Sequence, residues 1–142
     1  MGKVVLNLVS RDTEISHVQV LANSPSFSAI TSFRCENKVL HDFGIKLKGF
    51  PKSVDERVEY VIGAGKGKAE FNFKTIGGTT QCELWVRLNG LEDDEGRIAE
   101  AHFPIDYLEP DSIAAFASDL TKMAKGTCQI AELKNRFEKN KS

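Results

Sequence analysis

Apolar and polar residues alternate over long parts of this chain, and the alternation changes period at identifiable points. Residues 3–9 and 17–22 (His-Val-Gln-Val-Leu-Ala) read as two strands joined by a polar turn over 10–16. Asn23-Ser24-Pro25 interrupts them, after which Phe27, Ala29, Thr31, Phe33 and Cys35 alternate as a strand does. The spacing then lengthens. Val39, Leu40, Phe43, Leu47 and Phe50 recur at helical intervals up to Pro51, predicting a first amphipathic helix over about 37–49.

The middle of the chain returns to a period of two. Val58, Tyr60 and Ile62 alternate with Arg57, Glu59 and Val61, and Gly63-Ala64-Gly65-Lys66-Gly67 follows as a loop. Residues 68–76 and 79–89 flank Gly77-Gly78, a pair suited to the positive φ angles of a two-residue hairpin turn. Such a turn sets Ile76 opposite Thr79, and hence Phe73 opposite Cys82, Phe71 opposite Leu84 and Ala69 opposite Val86. Every one of those pairs is apolar, as a single buried face demands. The other face then pairs Lys74 with Gln81, Asn72 with Glu83, Glu70 with Trp85 and Lys68 with Arg87.

After the polar turn Glu92-Asp93-Asp94-Glu95-Gly96, residues 97–105 read as a further strand. Ala99, Ala101, Phe103 and Ile105 share one of its faces, with Glu100 and His102 on the other. Pro110 suits a helix's first turn, and Ile113, Phe116, Ala117, Leu120, Met123 and Ala124 trace one stripe as far as Gly126. Residues 127–137 fit a helix (Ile130, Leu133, Phe137) and equally a short strand before a charged tail. Consecutive strands without βαβ alternation imply an α+β fold. Its expected form is a single antiparallel sheet of about 5–7 strands, with a central meander over 56–105 and the helices, about 37–49 and 110–125, packed on one face. Residues 1–142 are expected to form one domain, with 134–142 as a frayed charged tail.

Composition narrows the function classes. The chain has 142 residues, a formal net charge of −1 and 41% apolar residues, an ordinary globular composition. Near-neutral charge speaks against a general nucleic-acid binder. No stretch approaches the roughly 20 apolar residues of a membrane span, and no signal-peptide pattern is present. Cys35, Cys82 and Cys128 are far apart and include no CxxC pair, which suits free thiols in a reducing cytoplasm and offers no zinc site.

Several tempting motifs fail on context. Gly63 to Lys68 lacks Walker spacing, carries Ala69 where a hydroxyl belongs, and precedes a strand. The acidic run Glu92 to Glu95 lacks the alternating ligands of a calcium loop and reads as a solvated hairpin tip. His17, His41 and His102 form no close pair, and no nucleophile elbow occurs. No cofactor or metal is expected. What remains is the polar face of the central ribbon, where Glu70, Glu83, Trp85 and Arg87 are joined by Glu100 and His102. Tryptophan and arginine are enriched among interface anchors. The competing view has Trp85 covered by its own chain, by residues 127–137 or the N-terminal strands.

A longer pattern points the same way. Glu83-Leu84-Trp85-Val86-Arg87-Leu88, then Ala101-His102-Phe103-Pro104-Ile105-Asp106, then Ile113 to Leu120 and Lys125 to Leu133, resembles small bacterial proteins that include immunity proteins of polymorphic and contact-dependent toxin systems. The resemblance covers about the last 60 residues and implies strands and one helix, with no site motif to carry over. The expectation is a non-enzymatic protein-binding module, with a toxin-neutralising immunity protein as its specific form. Its partner is another protein, with no role for nucleic acid or membrane. The alternative is a small-ligand-binding protein or minor enzyme with a pocket between sheet and helices, near Tyr60, His41 or Cys35. A homodimer through the Trp85 face is a third expectation.

Overall fold

The computed structural model describes residues 2–63, 67–76, 78 and 81–134. Among the described residues, eight strands and two helices run in the order β1 (Lys3–Arg11), β2 (Ile15–Asn23), β3 (Ser28–Glu36), α1 (Asn37–Leu47), β4 (Arg57–Gly63), β5 (Lys68–Thr75), β6 (Cys82–Glu92), β7 (Ile98–Leu108), α2 (Pro110–Ala124) and β8 (Ile130–Lys134). The strands form two separate antiparallel sheets of four, an N-terminal sheet in the order β3-β2-β1-β8 and a central sheet in the order β4-β5-β6-β7.

The expectation of one sheet with helices on one face is therefore wrong, and widths explain why. Strands lie about 4.8 Å apart, so one sheet of this many strands would be roughly 38 Å wide. Two packed helices at about 10 Å spacing cover only about half of that. Every strand here carries one apolar face, so the uncovered half must be buried against something else, and the other sheet is what the chain has.

The inner face of the N-terminal sheet runs unbroken across paired residues: Leu133, Val4, Ala22 in one row, then Ala131, Leu6, Val20, Thr31 in the next. β3 lies against β4, β5 and β6, and the Thr31 hydroxyl donates to the Asn89 carbonyl across the two sheets at 2.8 Å. Phe43 of α1 packs on the central sheet's inner face, stacking on Tyr60 and tilting against Phe71, each at 4.9 Å, with Phe116 of α2 edge-on at 6.2 Å. Buried residues from both sheets and both helices make one continuous core.

The ends of the elements are fixed by polar contacts. The expected turn over 10–16 is shorter, because Asp12 Oδ1 accepts from the amides of Glu14 and Ile15 at 2.8 Å each and closes the β1–β2 hairpin tightly. Buried Asn37 ties the start of α1 to that hairpin, accepting from the Ser16 hydroxyl and donating to the Asp12 carbonyl. Arg11 donates twice to the Ala124 carbonyl, at 3.2 and 2.9 Å, placing a cation at the negative end of α2. The final segment is a strand through Lys134, paired with β1; the expected tail over 134–142 therefore starts later than its first residue, and residues 135–142 lie outside the described residues.

The central hairpin departs from its expected register by two residues. Ile76 donates to the Gln81 carbonyl, and the pairs are Phe73 with Leu84, Phe71 with Val86 and Ala69 with Leu88. A two-residue turn is thus excluded, although Gly77, Thr79 and Thr80 themselves lie outside the described residues. A shift of two keeps every side chain on its expected face. What it changes is the polar partners. The expected register set Lys68 against Arg87, whereas the observed one sets Glu70 against Arg87 and Lys74 against Glu83. Opposite charges directly across a ladder are favourable and like charges are not, so the polar face selects between registers that the apolar face cannot distinguish.

Candidate functional site

The outer face of the central sheet is built in rows. Glu59, Asn72, Trp85 and Pro104 are cross-strand neighbours in one row, and Val61, Glu70, Arg87 and His102 in the next. Trp85 is half-buried on this face, opposite the core. Its ring meets His102 edge-on at 5.1 Å, and its Nε1–H donates to Glu83 Oε1 at 3.0 Å. Lys74 Nζ reaches the same carboxylate oxygen at 3.1 Å. Arg87 lies 3.8 Å from Glu70 Oε2 and bonds to His102 Nδ1 at 3.3 Å, while Lys68 reaches the same Glu70 oxygen at 3.8 Å.

Five of the six expected site residues, Glu70, Glu83, Trp85, Arg87 and His102, thus form one contact network. Glu100 does not join it; it pairs with Asn89 further along the ladder and is exposed. Of the chain segments named as covers of Trp85, β1, β2 and β8 lie in the other sheet, and residues 135–137 lie outside the described residues.

Two features lie outside the expected set of site residues. A bulge in β7 leaves both Asp106 and Tyr107 between the pairs Cys82–Leu108 and Leu84–Ile105, with Tyr107 at φ 60°. Asp106 is thereby brought onto Glu83. The hydrogen bond they share, followed by burial, pushes the Asp106 carboxyl above the ordinary value of 3.8. Burial also pushes Glu83 upward, but bonds from Asp106, Lys74 and Trp85 outweigh it and leave Glu83 below 4.5. The two carboxyls are thus shifted in opposite directions, negative charge being favoured on Glu83 and disfavoured on Asp106. The second feature is β4, whose outward residues Glu59 and Val61 complete a groove of about 420 Å³ with Glu70, Asn72, Trp85, Arg87 and His102. The alternation of 57–63 and the short glycine loop to 68 were the signal for this wall.

The residues proposed for a pocket between sheet and helices diverge. Tyr60 stacks on Phe43 and donates to the Val39 carbonyl at 3.1 Å. Cys35 is buried, which pushes its thiol up to about 11. His41 lines a crevice between α1 and α2, together with Lys48, Ser118, Thr121 and Lys125. Among the described residues no cluster of His, Cys, Asp and Glu could hold a metal ion, and no helix is long and apolar enough to cross a membrane. No protein-family model, curated protein or solved structure matches this chain.

Proposed function

We propose that the outer face of the central sheet is a protein docking face, and that the chain is a non-enzymatic binding module acting by covering its partner's surface. The specific form favoured by the sequence resemblance is an immunity protein that neutralises a bacterial toxin by occlusion. One observation carries this reading: the single tryptophan stands outside the core, half-buried and held in a fixed orientation by Glu83 and His102. A rigid indole ringed by side chains already engaged with one another has little left to lose in ordering when a partner arrives. The rim charges would set register and on-rate. Neither Glu83 nor Asp106 lines the groove; Glu83 instead contacts the indole and Lys74.

The test is a partner captured from the source cells, identified, purified and titrated calorimetrically against the protein and its Trp85→Ala variant. The expected loss is about 2 kcal/mol, some 30-fold in Kd, at a scarcely altered melting temperature. Equal affinity with equal stability removes Trp85 from the interface. Sedimentation of the protein alone checks the competing homodimer through the same face.

A further inference from the structure

The groove beside Trp85 has the chemistry of a receptor for a cation. Glu59 and Trp85 stand on strands two ladders apart, roughly 10 Å between backbones, with the shorter Asn72 between them as floor. Two carboxylates line the groove, Glu70 paired with both Lys68 and Arg87, and Glu59 with no ion-pair partner among the described residues. That arginine is engaged with Glu70 and His102, although its Nε finds no acceptor. Glu59 is exposed, and its one polar contact among the described residues is a long 3.4 Å bond from Asn72 Nδ2. Asn72 Oδ1 is buried and has no donor among the described residues. The groove that Trp85 lines thus holds one exposed carboxylate with acceptor capacity to spare and, beneath it, one unpaired amide oxygen.

We propose that this groove receives a basic side chain of the docked partner, an arginine in preference to a lysine. The inference rests on the docking-face reading and names the partner's chemistry. A guanidinium laid over Asn72 packs its plane against the indole, where the ring's negative face attracts it. It donates to the Glu59 carboxylate and, once the Asn72 amide turns, to Oδ1. A planar fork of donors serves two acceptors at once, which a point-like ammonium does not.

The probe is N-acetyl-arginine N-methylamide, titrated into the 142-residue chain and followed by amide NMR. Shifts are expected at the Trp85 indole N–H, the Asn72 side-chain amide and the adjoining β4–β6 backbone. They should be lost with the neutral citrulline analogue and diminished in Glu59→Gln, an exposed substitution that leaves the melting temperature in place. Equal shifts with citrulline, or none with arginine, overturn the proposal. In the complex with an identified partner, Glu59→Gln is expected to weaken binding about 10-fold and to flatten its salt dependence. A complex weakened by Trp85→Ala and indifferent to Glu59→Gln overturns the cation pocket while the docking face stands. Indifference to both overturns the two together.

Discussion

The Nε1–H of Trp85 donates to Oε1 of Glu83, two residues earlier on the same strand, at 3.0 Å. Residues two apart on a strand share a face, so this bond fixes the indole from within its own strand. Lys74 grips the same oxygen from β5, and Asp106 reaches the carboxylate through the β7 bulge. The orientation of the proposed anchor is therefore set by a carboxyl pair, and that pair titrates.

The pH dependence follows from opposite shifts. Asp106, held above 3.8 first by its bond to Glu83, contributes stability at low pH that disappears as pH rises through its folded value. Glu83, held below 4.5 because its hydrogen bonds outweigh its burial, contributes stability above 4.5 that disappears as pH falls through its folded value. Asp106→Asn keeps a donor for Glu83 and removes the disfavoured charge. Its melting temperature is expected to exceed the parent's near about pH 7 and to converge on it below about pH 4. A gap that is constant across that range contradicts the upward shift of Asp106.

Gly44 is the point where the two helices meet. A Cβ there would stand 2.6 Å from Thr121 Cγ2 and 2.7 Å from the Ala117 carbonyl oxygen. In an open helix Gly→Ala gains up to about 1 kcal/mol. Here the backbone carbonyl cannot turn aside, so Gly44→Ala is expected to destabilise by about 1–3 kcal/mol in urea unfolding.

Phe43 is fully buried and touches aromatic rings of β4, β5 and α2. Phe43→Ala empties the joint between helix layer and central sheet, with an expected cost of about 3–5 kcal/mol by denaturant midpoint. A cost near 1 kcal/mol would mean that the layer collapses freely around the gap.

Cys35 and Cys82 are buried, which pushes both thiols up to about 11. Cys128 is partly exposed. Brief alkylation of the native protein with iodoacetamide near about pH 8 should modify Cys128 alone, and all three thiols once the chain is unfolded. Native labelling of Cys82, read by mass spectrometry, would show that the β5–β6 ladder opens.

Much of the site was legible because alternation states which residues leave the core. Glu70, Glu83, Trp85, Arg87 and His102 fall on one face in either register, since a two-residue slip preserves facing. Their partners were legible too, had the charges been weighed beside the apolar pairs. Asp106 was not, because the bulge breaks the count at the point where it matters. Glu100 shares the face but sits too far along the ladder to meet the others.

By itself the sequence determined the period of each segment, and with it the strands, both helices and the side of each ribbon that turns inward. Only the tertiary structure decided that these strands divide into two sheets, and that residues 130–134 form a strand against β1 rather than a helix. The physical reason is that periodicity records the presence of a buried face and says nothing of what lies against it. For the last segment, a vacant ladder edge on a strand from the far end of the chain supplied backbone partners that no local pattern could announce.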